Sequence, residues 1–273
     1  PVYSLTNPSQ LTDPELLATP CDPAVIETAL RTTGVALLRG VIPPAAARHL
    51  AEQLTSYIPQ GVEIGSANNG EAEKGSQNFL TLFQRDPCWL QLFDPSPIIE
   101  AVDAVLGPEC HVITQKGWRH APGHDATNGS GNGGMHVDEL WAEMPEDMAS
   151  DPRYEPPILI LTALAYLNGT SRELCPTRVV PGSFRSGRRP PRDGADYDLS
   201  ESTATSWGNK QAHVALAEPG DILLFRSEVW HAGSVNLTTD QTRLCVETAF
   251  GARKVSQKFY PYLNFRLAER TFE

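Results

Sequence analysis

From Cys110 onward the chain is cut into short apolar runs by Pro and Gly turn signals, and this texture restricts the fold more than any other feature. The runs His111–Trp118, Pro157–Leu167, Thr177–Val180, His213–Leu216, Asp221–Phe225 and Arg243–Phe250 have strand length. Between them stand Ala121-Pro122-Gly123, Asn132-Gly133-Gly134, Asn168-Gly169, Pro181-Gly182 and Pro219-Gly220, residue pairs that favour tight turns. The first hundred residues read differently. Asp22-Pro23 supplies an N-cap and a first-turn proline for a helix that ends before Gly34. Val35–Arg39 is a short strand closed by Gly40, Pro43-Pro44 opens a second helix through Tyr57, and a third spans Ser96–Leu106. Helices followed by many short strands predict a mainly β barrel or sandwich with helices packed on one side. Residues 1–23 read as an irregular arm and residues 60–76 as a surface loop. Two longer irregular segments, about 119–134 and 184–212, are placed to wall an active site.

Bulk properties exclude several classes of function. With 273 residues, 40% hydrophobic, the chain can bury a sizeable core, and barrels of this length often form one unit. The longest apolar stretch, Ile158–Leu167, is broken by Thr162 and falls short of the roughly 18 residues a membrane span needs. No secretory leader pattern is present, so the expectation is a soluble, cytoplasmic protein without a membrane partner. Five widely spaced cysteines, Cys21, Cys88, Cys110, Cys175 and Cys245, form no CxxC pair and are read as reduced thiols rather than a disulfide framework or thiolate metal site. A net charge of −11 argues against a nucleic-acid partner. The one basic run, Arg185, Arg188, Arg189 and Arg192, is diluted by Pro190 and Pro191 and reads as a solvated loop, with an anionic substrate group as the other reading.

Three features carry chemistry. His136-Val137-Asp138 follows a flexible Gly-rich stretch, and in an extended segment residues i and i+2 share a face, so one imidazole and one carboxylate reach the same point. Pro219-Gly220-Asp221 launches the apolar strand to Phe225, and His231 lies just past its end, where barrels present site residues. Arg243 opens an otherwise apolar strand. A buried guanidinium requires an anionic partner, either a structural ion pair or a bound carboxylate that suits its fork. Two histidines and one carboxylate on one face of a metal, with open positions opposite, form the facial triad of non-haem iron(II) oxygenases. The same donors also suit zinc.

The ordered set of motifs resembles the phytanoyl-CoA dioxygenase (PhyH-like) family of Fe(II)/2-oxoglutarate-dependent oxygenases. Met135–Asp138 resembles the family's HxD, and Pro176–Phe184 its VVPGSH segment. Pro219–Phe225 with Trp230–Asn236 resembles its PGD…F…WHGSGxN segment, and Arg243 follows as its arginine. The resemblance implies a double-stranded β-helix (jelly-roll, cupin-like) core at about 109–255, a helical part at about 1–108, and one domain over residues 1–273. It implies Fe(II) on His136, Asp138 and His231, with 2-oxoglutarate and O2 as co-substrates. Arg243 would grip 2-oxoglutarate, with Thr177 and Ser234 as helpers. Departures are Phe184 in place of a frequent His, Ser234 one residue late, an Arg243 spacing one residue longer, and Gly133 where some members carry glutamine. An intact Asp138 argues for oxygen transfer, desaturation or related C–H oxidation, because related halogenases lack that carboxylate.

The expected substrate is a small or medium-sized metabolite from secondary metabolism, since the acidic balance disfavours a polyanionic polymer. Gln77, Phe79, Arg119, Trp141 and the 184–212 loop are assigned to its pocket. The alternatives are an inactive PhyH-like binding or partner subunit, for which loss of a ligand would be the signature, and a cupin-like zinc enzyme, which gives no reason for Arg243.

Overall fold

The computed structural model describes residues 18–57, 76–93, 96–125, 134–140, 145, 151, 156–190, 203–205, 208–210 and 212–256. The helices are α1 (Pro23–Thr32), α2 (Pro44–Ser56) and α3 (Ile98–Leu106). Asp22 caps α1 as its sequence position predicts: one carboxylate oxygen accepts from the backbone N–H of Ala24 and Val25. Each helix buries one stripe, Ile26 and Leu30 on α1, Ala47, Leu50 and Leu54 on α2, and Ile98, Ala101 and Val102 on α3.

The strands are β1 (Ala18–Thr19), β2 (Val35–Leu38), β3 (Ser76–Leu80), β4 (His111–His120), β5 (Ile160–Tyr166), β6 (Thr177–Val180), β7 (Thr203–Thr205), β8 (Gly208–Lys210), β9 (His213–Ala215), β10 (Ile222–Arg226), β11 (Trp230–Ala232) and β12 (Arg243–Gly251). A seven-stranded sheet has the order β1-β2-β10-β5-β12-β4-β3, a three-stranded sheet the order β11-β6-β9, and β7 pairs with β8. The two larger sheets face one another as a jelly roll. All six strands expected after Cys110 form, within a few residues at their ends. β1, in the segment expected to be an irregular arm, the edge strand β3, the β7–β8 pair, in the segment expected to be irregular, and the short β11 carry no comparable apolar run and escape sequence reading.

The large sheet is apolar on both faces, and strict alternation separates them. Ala36 and Leu38 of β2, Leu161, Ala163 and Ala165 of β5, Ile222 and Leu224 of β10, and Leu244 and Val246 of β12 pack with the helices. Their alternates Val35, Leu37, Leu164, Tyr166, Leu223, Phe225 and Cys245 meet Val179 and Ala215 of the small sheet. The inner layer is where an interior site can form.

The turn before β10 fastens the sheet's N-terminal edge. Asp221 is buried, and its carboxylate accepts from Arg39 Nη1 at 2.6 Å, Gly40 N at 2.7 Å and Glu218 N at 2.8 Å. Gly220 adopts φ +93°, and a Cβ there would stand 2.1 Å from the Ile42 carbonyl oxygen, which is backbone and cannot yield. Gly220→Ala should therefore cost at least about 2 kcal/mol, read as a lower urea midpoint at unchanged slope; an unchanged midpoint would show that the turn relaxes freely.

Candidate metal and co-substrate site

His136 and His231 are joined through their backbones. His136 N donates to His231 O at 2.9 Å and His231 N to His136 O at 3.0 Å, an antiparallel bridge that holds the HxD segment against β11. Alternation then sorts the side chains. Met135, Val137, Trp230 and Ala232 enter a separate apolar cluster, while His136, Asp138 and His231 turn toward the cavity between the sheets. Asp138 N donates to Ser227 O at 3.0 Å, and Ser183 Oγ accepts from Trp230 N at 2.8 Å, so both neighbours of the bridge are tied down.

The imidazoles are oriented by backbone carbonyls. His136 Nδ1 lies 2.7 Å from Gly134 O and His231 Nδ1 2.9 Å from Val229 O, contacts in which Nδ1–H donates. Each Nε2 is left as a lone-pair donor aimed inward, the arrangement that metal-binding histidines need. Asp138 Oδ1 is 3.6 Å from His231 Nε2 and 4.0 Å from His136 Nε2, within the span of two metal–ligand bonds of about 2.1 Å each. Ligand atoms of all three residues lie within 4.8 Å of one another, the one such group among the described residues. Thr162 Oγ1 donates to Asp138 Oδ2 at 3.3 Å and occupies the oxygen that does not face the histidines.

Charge follows from this packing. Burial resists ionisation of His231, but Asp138 more than offsets it and raises the pKa above the ordinary imidazole value. Burial and the neighbouring His231 lower that of His136. Burial acts to raise Asp138, yet the two imidazoles and Lys116 hold it well below the usual carboxylate range. A carboxylate and two nitrogen donors converge there.

The cavity has a volume of about 300 Å³. Arg243 lies within it and is buried. Its Nη1 approaches His120 Nδ1 at 3.4 Å and Cys175 Sγ at 3.9 Å, Nη2 donates to Thr177 Oγ1 at 3.3 Å, and buried Nε has no hydrogen-bond partner. No carboxylate among the described residues pairs with it. His120 cannot substitute for one: burial, Arg243 and the stacked His124 drive its pKa well below the ordinary value, so it stays neutral. Between the alternatives open from sequence, a structural ion pair or a bound anion, the geometry favours the bound anion.

The other expected site residues divide. Thr177 lines the cavity and accepts from both Arg243 and the Tyr166 hydroxyl at 2.9 Å. Ser234 contributes its backbone carbonyl to Cys175 Sγ at 2.8 Å, while Gly233 lines the cavity in its stead. Gln77, Phe79 and Arg119 do not line it. β3 pairs Gln77 with Arg119 and Phe79 with Gly117, and this whole face turns toward the helices. Phe79 is packed in the helix-side core, and Arg119 lies over its ring at 4.8 Å while donating to Leu54 O and Thr55 O. The assignment of these three to the pocket is corrected on strand parity. Trp141 and Gly133 lie outside the described residues, as do parts of the 119–134 and 184–212 loops. Phe184, which stands where the family often has His, is a core residue beneath the Arg226 guanidinium at 4.0 Å.

Sequence reading missed Lys116, Trp118, His120, His124, Leu164, Phe225 and Glu247, all of which line the cavity. A signal existed: Arg243, Cys245 and Glu247 alternate on one strand, so accepting Arg243 as inward makes Glu247 inward as well.

With the geometry in hand, the comparisons define the class. The phytanoyl-CoA dioxygenase (PhyH) family model matches residues 30–245, and the chain belongs to that family. It is thereby a 2-oxoglutarate-dependent non-haem iron enzyme. A search of curated proteins by sequence gave no significant match. Among solved structures, HygX from Streptomyces hygroscopicus, with nickel and 2-oxoglutarate bound, is similar at a TM-score of 0.59 and 16% identity, over 84% of this chain and 86% of HygX. The epimerase SnoN from nogalamycin biosynthesis is similar at 0.56 and 17% identity, over 84% of each chain. Both support the jelly-roll fold. No helix among the described residues is long and apolar enough to cross a membrane.

The raised pKa of His231 makes the proton a competitor for the site. Affinity of the metal-free protein for Co(II) should fall as pH drops through the neutral range, by about tenfold per pH unit for each proton displaced. A pH-independent affinity across that range would exclude the two imidazoles as ligands.

Proposed function

We propose that the enzyme oxidises a C–H bond of a small or medium-sized metabolite of secondary metabolism, by hydroxylation, desaturation or a related C–H oxidation, with succinate and CO2 as co-products. The observation that carries this reading is a metal-ready His136–Asp138–His231 triad sharing one cavity with a buried arginine that has no carboxylate partner among the described residues. The donor set fits iron(II): two neutral imidazole nitrogens and a carboxylate oxygen on one side, with the cavity on the other. The arginine fits a dicarboxylate co-substrate whose far end needs a cation. Zinc hydrolysis would use the same three ligands but leaves Arg243 without a function.

When bound, iron with 2-oxoglutarate and dioxygen supplies the oxidising chemistry. The chain supplies position and enclosure. Gly134 and Val229 carbonyls hold the imidazoles with Nε2 inward, and Thr162 steadies Asp138. Arg243 and Thr177 receive the distal carboxylate of 2-oxoglutarate, and neutral His120 beside them leaves the guanidinium charge available to it. Leu164, Phe225 and Trp118 provide an apolar wall that limits water at the reacting centre. Asp138 fills the third ligand position, which leaves no place for a halide in its stead. The helices and both sheets act as one catalytic domain.

The structural relatives support the substrate class: HygX has been solved with hygromycin B bound and SnoN with nogalamycin RO, both small molecules. The acidic balance of −11 makes a polyanionic polymer a poor substrate.

His136→Ala and Asp138→Ala should each abolish 2-oxoglutarate-dependent succinate formation while the unfolding transition persists; wild-type turnover by either would remove the metal assignment. Arg243→Ala should raise the 2-oxoglutarate concentration required by on the order of 100-fold, as expected for loss of a buried charge-assisted contact. An unchanged requirement would refute its role.

A further inference from the structure

A second charged element lines the same cavity, outside the His136–Asp138–His231 group and Arg243. Lys116 of β4 and Glu247 of β12 are opposite one another in register, and Lys116 Nζ lies 3.1 Å from Glu247 Oε1. Both line the cavity. Glu247 is four residues beyond Arg243 on the same face of β12, about 13 Å along the strand. It also faces Leu164, one inward position from Thr162 and its contact to Asp138. The pair therefore stands beside the metal ligands and away from the Arg243 end.

A buried ion pair is a poor way to stabilise an interior, because desolvating two charges costs several kcal/mol and apolar replacements are often as stable. This pair is also incompletely used. Among the described residues Lys116 Nζ has one ion-pair partner, Glu247, and lies over the Trp118 ring at 5.5 Å from its centroid, while the second Glu247 oxygen has no partner. The lysine side chain is 31% exposed and the glutamate 10%. A strong donor and a strong acceptor thus lie side by side, both with unfilled capacity, next to the apolar surfaces of Trp118, Leu164 and Phe225.

The formal charge of the cavity indicates what meets them. Its cations, Arg243 and Lys116, match its carboxylates, Asp138 and Glu247, and a divalent metal is matched by the dianionic co-substrate. The loaded site carries no net charge to attract an ion. Adjacent donor and acceptor suit a group that offers an acceptor and a donor at the same spacing, and two neighbouring hydroxyls do so without adding charge. An apolar wall alongside suits the C–H face of a ring that carries them.

Resting on the proposed function for its metal and co-substrate, we propose that Lys116 and Glu247 are specificity-determining residues that bind a vicinal diol of a neutral, polyhydroxylated ring in the substrate. One hydroxyl accepts from Lys116 Nζ and its neighbour donates to Glu247. The contact orients the ring so that a C–H bond close to the diol faces the metal.

The test uses the full-length protein loaded with zinc, which is redox-inert, and 2-oxoglutarate. Binding of methyl glucoside, myo-inositol, cyclohexanol, cyclohexylamine and cyclohexanecarboxylate is measured by saturation-transfer NMR, and 2-oxoglutarate affinity by calorimetry. The two polyols should bind saturably, and cyclohexanol and both ions on the order of tenfold more weakly, since a site built to hydrogen-bond hydroxyls is left unpaired by analogues that lack them. Lys116→Met/Glu247→Leu should lose polyol affinity by a similar factor and keep its affinity for 2-oxoglutarate. If that double variant does not fold, Lys116→Leu/Glu247→Met carries the same test. Polyol binding unaffected by the variant, preference for either ion, or no polyol binding at all would overturn the proposal. Loss of 2-oxoglutarate affinity in the variant would overturn it too, by making the pair a co-substrate contact. Failure of the wild-type zinc protein to bind 2-oxoglutarate would instead sink the proposed function itself.

Discussion

Two reciprocal backbone hydrogen bonds between His136 and His231 are the constraint on which the site depends. They join residues almost a hundred positions apart, and they do so at the proposed ligand positions themselves. Because side chains alternate along extended backbone, pairing these two residues puts both rings on one side and gives Asp138 the same face. Each ring is then turned by a carbonyl two residues before it, Gly134 for His136 and Val229 for His231. Metal affinity in such a site comes from donors held in place before the ion arrives, and here the backbone does most of that holding.

The second constraint is a large sheet covered on both sides. Helices shield one face of β2, β5, β10 and β12, and the small sheet shields the other. Such strands lose the polar–apolar alternation of a half-exposed sheet, and β2, β5, β10 and β12 are buried along their entire lengths. Polar side chains within them are then costly unless partnered or used. Asp221 is partnered, by Arg39 and two backbone amides. Arg243 has no carboxylate partner among the described residues, and Lys116 and Glu247 have only one another as ion-pair partners there. The difference between these cases separates the charges that hold the fold together from those that await a ligand.

The same covering explains what could be read from the amino-acid sequence and what could not. Strand existence was legible, because Pro-Gly turns bound each apolar run, and α1 was legible from Asp22-Pro23. That His136, Asp138, His231 and Arg243 share one cavity was legible because their residue types are rare in apolar surroundings and their order along the chain resembles one family. Facing was not legible. Near the sheet's edge β3 and β4 carry polar and apolar residues on both faces, so Arg119 and Phe79 looked as suitable for the pocket as Trp118 and His120 did. A shift of one residue in parity moves a side chain from the cavity to the helix layer. Ser234 shows the same limit: one added residue brings Gly233 to the cavity wall.

The central claim is that His136, Asp138 and His231 hold one iron ion while Arg243 receives the far carboxylate of 2-oxoglutarate. Crystals grown without oxygen in the presence of iron(II) and 2-oxoglutarate, measured on both sides of the iron absorption edge, test it most directly. The account predicts a single anomalous peak bonded to both Nε2 atoms and to Asp138, with 2-oxoglutarate reaching from it to the Arg243 guanidinium. A peak elsewhere, or a co-substrate whose carboxylate avoids Arg243, would contradict it.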